Sequence, residues 1–435
     1  MELIEKIESN IARIGVIGLG YVGLPLALEA GKAGYSVTGI DISEQKIKML
    51  NQGKNYIPDI QDKDISSLVR NGIFKATNDF KEIEKLDVII MCVPTPLDKN
   101  KQPSTKYIED AVDSSLPFFR KGQLIVLEST TYPGTTEEII LPRIESKGMK
   151  VGKDFYLVFS PERVDPGNPR FNTSNIPKVI GGVTPACTKV ASAFYKKITT
   201  GGVFEVSSPK IAEMEKLLEN IFRIVNISLV NEMAMLCDKM GINIWEVISA
   251  AKTKPFGFMP FYPGPGTGGH CIPLDPFYLS WRAKEFDFST RFIELAGEIN
   301  DKMPEYIVSR VVDTLNKDKK SINGSKIFII GMAYKKDIGD IRESPSIKVA
   351  EQLLAKGADI VYHDPYVPDV QILTKKYSSE KISPEILKSC DLVLILTDHS
   401  QIDYDTISKY ANLIYDSRNA VSNKYNTIFK LGNWH

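Results

Sequence analysis

At 435 residues the chain is longer than a single ordinary core fills, and length alone suggests about three domains. Its 54 basic and 54 acidic residues cancel, which argues against a nucleic-acid footprint or attraction to an acidic membrane. Five cysteines without a CxxC pair, and four histidines without zinc-type spacing, suit a reducing cytoplasm, so neither disulfides nor a metal is expected.

The opening, MELIEKIESN, is charged and carries no apolar signal region. The longest apolar-rich stretch, IFRIVNISLVNEMAML, contains Arg223, Asn226, Asn231 and Glu232, which makes it a poor membrane span. The first strong pattern is ARIGVIGLGYVGLPLALEAGKAGYSVTGIDIS. An apolar run from Arg13 to Ile17 leads into glycines, a helical stretch ends near Gly34, and YSVTGID is a second strand. Such an order predicts a βαβ unit with a parallel strand pair. Gly18, Gly20 and Gly23 have G-x-G-x-x-G spacing, and Asp41 ends the second strand 21 residues past Gly20. The glycines allow a tight turn, a close pyrophosphate and close helix packing, while the acid accepts hydrogen bonds from a ribose diol. A carboxylate there repels a 2′-phosphate, so NAD is favoured over NADP.

Further apolar runs at LDVIIMCVP, QLIVLEST and FYLVFSP each end in polar or turn residues. That is the rhythm of a doubly wound domain, assigned to residues 1–207. From residue 208 the rhythm changes. SSPKIAEMEKLLENIFRIVNISLVNEMAMLCDKMG opens at Ser-Pro and stops at Gly241 with no internal breaker. A helix of about 30 residues spans roughly 45 Å. Apolar over much of its circumference, it is expected to connect two domains and to be buried on several sides, including a subunit contact in a homodimer or higher homo-oligomer. It belongs to a central segment, 208–316. Beyond KDKKSINGSK, strand-like runs return at KIFIIGMAY, ADIVYHDP, DLVLILTDH and NLIYDSRN. Again a strand ends in glycine and the next in an acid, Asp364, but Gly331-Met332-Ala333 stands where the first half has Gly18-Leu19-Gly20. The predicted fold class is α/β, two Rossmann-like doubly wound domains joined by a long central helix. The second domain, 317–435, should hold something other than a dinucleotide.

The residues able to do chemistry cluster in a few motifs. Cys92, Cys237, Cys390 and, less clearly, Cys187 read as small buried hydrophobes. Cys271 instead sits in PGPGTGGHCIPLDP, behind Gly264, Gly266, Gly268 and Gly269, where a bare backbone approaches a ligand closely. A thiol beside a nicotinamide can hold an aldehyde covalently while a second hydride leaves. His270 either tunes that thiol, binds substrate, or is a mere neighbour. Lys216 and Asn220 lie one helical turn apart with Glu213 on the same side; the bland reading is a solvated stripe, the sharper one a polar pair facing an oxyanion or water. Thr130 in STTYPGT and Glu162 in SPERVDPG follow strands, at the sheet edge where ligands bind; otherwise they are turn or cap residues. Lys335 and Arg342, in YKKDIGDIRESPS, read as a solvated loop or as phosphate ligands.

Taken in order, GVIGLGYVGLPLA, VPTP, STTYPGT, SPER, EMEKLLEN, GTGGHCIPLDP and GMAYKKDIGDIRESPS resemble the UDP-glucose/GDP-mannose dehydrogenase family over nearly the whole chain. The resemblance implies oxidation of a sugar CH2OH to a carboxylate, with two NAD+ consumed per UDP-sugar. Cys271 resembles the nucleophile, Lys216 and Asn220 the oxyanion pair, and Asp275 the carboxylate four residues past the cysteine. Glu162 resembles the group that assists hydrolysis, and Thr130 the one that holds the active-site water. For the cofactor the resemblance implies Gly18, Gly20, Tyr21, Val22, Gly23, Asp41, Pro94, Thr95, Thr130 and Arg342. For the substrate it implies Glu162, Arg163, Lys216, Asn220, Gly268, Gly269 and Lys335.

GGHCIPLDP and SPERVDPGN look like the branch acting on UDP-N-acetylhexosamines. ESTTYPGT and KPFGFMPFYPGPG resemble its UDP-N-acetylglucosamine 6-dehydrogenases, whose uronate feeds surface polysaccharide. The mannosamine epimer and UDP-glucose stay open as substrates. Two departures stand out. Pro255, beside Lys254, occupies the place of an arginine that many relatives extend to the neighbouring subunit, and Pro166 the place of a frequent glutamate. Two other classes also remain: a two-electron dehydrogenase of the β-hydroxyacid type, and a non-catalytic NAD-binding protein.

Overall fold

The computed structural model describes residues 1–435 except 58, 59, 99–101, 166, 169, 270, 423, 424, 434 and 435. His270 and Pro166 therefore lie outside the described residues. The chain divides into two compact units. One is Met1–Glu219 with Phe277–Phe288, the other Asn220–Pro276 with Ser289–His435.

In the first unit the strands are β1 (Arg13–Ile17), β2 (Ser36–Ile40), β3 (Phe74–Thr77), β4 (Val88–Met91), β5 (Gln123–Leu127), β6 (Phe155–Phe159), β7 (Lys178–Gly182) and β8 (Val203–Val206). They form one sheet in the order β3-β2-β1-β4-β5-β6-β7-β8. The strands from β3 to β6 run parallel, β7 is antiparallel to β6, and β8 is parallel to β7. Side chains alternate across a strand, so a sheet covered on both faces needs apolar residues at every position. Strand β4 obeys this: Val88 and Ile90 enter one core, Ile89 and Met91 the other. In β5, Leu124 and Val126 separate in the same way from Ile125 and Leu127.

The second unit repeats the scheme with β9 (Lys326–Ile330), β10 (Asp359–His363), β13 (Leu392–Ile395), β14 (Ile414–Asp416) and β15 (Ile428–Lys430), while β11 (Asp369–Ile372) and β12 (Lys375–Ser378) make a separate antiparallel pair. The five-stranded sheet is parallel, in the order β10-β9-β13-β14-β15. Ile327 and Ile329 face one core, Phe328 and Ile330 the other. Both sheets have the strand orders of nucleotide-binding α/β folds, whose ligands sit at the carboxyl ends of the strands.

The central helix runs from Pro209 to Met240 and contributes to both units. Proline suits its first position, and Gly241, at φ +70°, ends it. In the single chain the helix leaves a stripe uncovered, with Leu218 and Met240 each 60% exposed.

Candidate functional site

The first unit carries the nucleotide turn. Strand β1 delivers Gly18 at φ +88°, and a Cβ on Gly23 would stand 1.9 Å from the Gly18 carbonyl oxygen. A Cβ on Gly20 would meet nothing within 4 Å, so that side of the turn is open. The helix Gly23–Lys32 begins here, and its first N–H groups lack intrahelical partners. Asp41 ends β2 at 8% exposure and accepts hydrogen bonds from the N–H of Leu19 and of Ser43, both at 2.9 Å, with Lys46 Nζ at 3.4 Å. A carboxylate tied to the turn that must cradle a pyrophosphate, next to a glycine with open space above it, fits NAD. Tyr21 and Pro94 are exposed and Val22 half-buried. Thr95 is buried, and its carbonyl accepts the Tyr278 hydroxyl.

Thr130 is half-buried. The segment behind it is fixed by Glu213, whose carboxylate accepts the N–H of Gly134 at 2.6 Å and of Thr136 at 3.0 Å, and the Thr136 hydroxyl at 2.7 Å. Burial pushes this carboxyl up against those hydrogen bonds. Glu162 follows β6; its Oε1 accepts the N–H of Arg163 at 2.7 Å and of Val164 at 2.9 Å. Arg163 is already engaged. Its guanidinium donates to both oxygens of Glu219 and to the Pro177 carbonyl, with Glu215 at 3.4 Å. Burial, then Glu219, push Glu215 up to about 7. Lys216 is buried at 7% exposure.

The second unit brings Asn220 and Asp275 together: the Asn220 amide donates to Asp275 Oδ2 at 2.7 Å, and both are buried. Cys271 is the exposed cysteine; Cys92, Cys187, Cys237 and Cys390 are buried. It does not lie in a loop as expected but opens the helix Cys271–Ala283, the end at which a helix favours negative charge. The glycines before it have another reason to be bare. A Cβ on Gly268 would stand 2.5 Å from Tyr334 Cβ, one on Gly269 2.8 Å from Tyr334 Cζ, and one on Gly264 2.5 Å from Arg418 Nη1. Gly269 N–H also donates to the Arg342 carbonyl at 2.9 Å. The loop thus packs on the YKKDIGDIRESPS segment. Lys335 is half-buried there, and the Arg342 guanidinium folds back on Asp340 at 2.6–3.0 Å.

Beneath Lys335 the counterpart of the nucleotide turn is closed off. Asp364 Oδ2 accepts the N–H of Met332 at 2.8 Å and of Ala333 at 2.9 Å, and pairs with His399 Nε2 at 3.1 Å. Sequence reasoning missed Arg418, which donates from Nε to the Leu396 carbonyl and lies over Gly264. The signal was a basic residue just past an apolar strand, in DSRN. It also missed Glu128, Lys178 and Tyr195, a buried cluster at the end of β5 and β6.

Three family models match in order: the UDP-glucose/GDP-mannose dehydrogenase family NAD binding domain at residues 12–199, its central domain at 210–302, and its UDP binding domain at 328–423. A UDP-N-acetyl-D-glucosamine 6-dehydrogenase of Pseudomonas aeruginosa is 33% identical over 411 residues, covering 93% of this chain and 96% of that protein. A UDP-N-acetyl-D-mannosamine dehydrogenase of Methanococcus vannielii is 35% identical over 428 residues, covering 95% and 94%. Among solved structures, a UDP-D-ManNAc dehydrogenase from Pyrococcus horikoshii superposes with a TM-score of 0.88 at 32% identity, covering 97% of this chain and 99% of that one.

Proposed function

The chain belongs to the UDP-glucose/GDP-mannose dehydrogenase family, and from that premise we propose that it oxidises C6 of UDP-N-acetylglucosamine to the uronate in two steps, through a covalent adduct on Cys271. It is an NAD-dependent oxidoreductase of the nucleotide-sugar dehydrogenase class, acting on a UDP-sugar. The observation that carries the four-electron reading is the one exposed cysteine at a helix start, four residues from a buried carboxylate that holds an amide.

Bound NAD supplies the hydride acceptor for each oxidation. In this reading a water held by Asp275 and Thr130, or Lys216 itself, takes the hydroxyl proton of the sugar in the first oxidation. The Cys271 thiolate then forms a bond to C6 of the aldehyde, and Lys216 and the remaining amide hydrogen of Asn220 steady the oxyanion. After the second oxidation water adds to the thioester carbon, its proton passes to Glu162 or Asp275, and the C6–S bond breaks to return the thiolate. Lys335 and Arg418 hold the diphosphate in the UDP domain. Residues 1–207, 208–316 and 317–435 would serve cofactor, cysteine loop and UDP in turn. A homodimer through the central helix, in a reducing cytoplasm, completes the proposal.

A second reading, oxidation of the mannosamine epimer, is favoured by relatives of that name at 34–35% identity, against 33% for the glucosamine enzyme. The test is a product assay by mass spectrometry with UDP-N-acetylglucosamine, UDP-N-acetylmannosamine, UDP-glucose and GDP-mannose, counting NADH per sugar. Two NADH and a uronate from the first substrate are expected; one NADH ends the thioester route in favour of a two-electron dehydrogenase, and no turnover leaves a binding protein. Cys271→Ser should abolish the uronate and spare NAD binding.

A further inference from the structure

We propose that Lys178 is a positioning residue for Glu162, holding that carboxylate for the hydrolytic half of the reaction; the inference rests on the thioester reading above. Lys178 begins β7 and is 2% exposed, an expensive place for a bare ammonium. Its Nζ lies 3.1 Å from Glu128 Oε1, donates to the Pro161 carbonyl at 3.2 Å, and faces Glu162 Oε2 at 3.7 Å. Pro161 immediately precedes Glu162. One cation therefore grips both the peptide that carries Glu162 and the carboxylate itself. The other oxygen of Glu162 is pinned by two backbone N–H groups, so only the Oε2 side is left for Lys178 to fix.

The lysine is itself held in place. Tyr195 donates its hydroxyl to Glu128 Oε1, and its ring centroid lies 5.3 Å from Nζ. Burial works against the Lys178 ammonium, but Glu128 and Glu162 outweigh it and raise its pKa above the usual lysine value, while burial raises Glu128. A lone buried ion pair is replaceable by apolar side chains at little or no cost, so Glu128 alone does not account for the cation. Glu162 does. Its Oε2, like Glu128 Oε2, is buried without a hydrogen-bond partner among the described residues, and the Lys178 ammonium is the cation that faces it.

The experiment follows the NADH time course. Both oxidations precede hydrolysis, so a defect in hydrolysis alone leaves a fast burst of two NADH per site and a slow steady state. Lys178→Met together with Glu128→Gln removes the Lys178–Glu128 pair, so that Glu162 is the one carboxylate of the cluster that loses its cation. The expected result is an unchanged burst, a steady-state rate lower by about tenfold or more, and an acyl adduct on Cys271 in the intact mass of enzyme quenched during turnover. Lys178→Arg, which keeps the cation, should restore most of the steady-state rate. Burst and steady state falling together, or wild-type hydrolysis in the double variant, would overturn the assignment. Failure of the thioester reading is separate, because Cys271→Ser would then still give uronate, or the unmodified enzyme would release one NADH per sugar.

Discussion

Asp41 joins two tasks in one carboxylate. It accepts the Leu19 N–H inside the glycine turn and, in the proposed reading, hydrogen bonds from a ribose diol, so its loss should both loosen the turn and remove ligand contacts. Hydrogen bonds to a charged group contribute about 1.5–3 kcal/mol each. Asp41→Ala should therefore weaken NAD binding by tenfold or more on the scale of about 1.4 kcal/mol per decade. Asp41→Asn, which keeps an acceptor for Leu19, should lose less and should tolerate NADP better. A calorimetric titration giving equal NAD affinity for Asp41→Ala would remove the ribose role. Asp41 was legible because its distance from Gly20 is set by the length of a strand–helix–strand unit. Lys178 was not, since a lysine opening KVIGG reads as a solvated strand end; only the three-dimensional meeting with Glu128 and Glu162 shows otherwise. Arg163 stood out beside Glu162, but its engagement by Glu219 across a helix left no trace in spacing.

At the scale of elements, the glycine loop before Cys271 is built on the protein's own side chains. Gly269 sits at φ +80° with Tyr334 filling the space a Cβ would take. Gly269→Ala should cost about 1–3 kcal/mol from backbone strain and overpacking, read as a lower melting temperature in calorimetry, with reduced turnover as the cysteine helix shifts. An unchanged melting temperature would mean that the loop does not need its left-handed residue. Prolines hid the helix that follows. Pro273 argues against helix in sequence, yet it lies in the first turn, where no N–H bond is lost, and only Pro276 costs a helical hydrogen bond. The strands built on near-continuous apolar runs, β1, β4, β5, β6, β9 and β13, were legible for the same reason that they are central. Several of those missed are short or half-exposed: β3 carries a lysine, Phe204 of β8 is 65% exposed, β11 alternates with solvent and β12 is largely exposed, while β7 is buried throughout but opens on a lysine and ends in two glycines. Their places follow from long-range pairing, which a local pattern does not encode.

For the whole molecule, the central helix sets a constraint that neither sheet does. Ile211, Met214, Leu218, Phe222, Leu229, Leu236 and Met240 are all exposed in the single chain. At 3.6 residues per turn they fall within about 80° of arc, and Glu213, Lys216 and Asn220 project from the opposite side. Each such side chain gains about 1.5–3 kcal/mol when fully buried, so an uncovered stripe this long favours self-association. A second copy of the same stripe is the simplest cover, because a two-fold pair presents one surface to itself. Leu229→Glu with Leu236→Glu places two charges in the middle of that contact while leaving the polar face untouched. In sedimentation the unaltered protein should run as a homodimer or higher oligomer and the double variant as single chains. NAD binding should survive in the variant, since Gly18, Gly20 and Asp41 belong to a unit with its own core. If both proteins sediment alike as single chains, the stripe has a different cover and the helix is not the subunit contact.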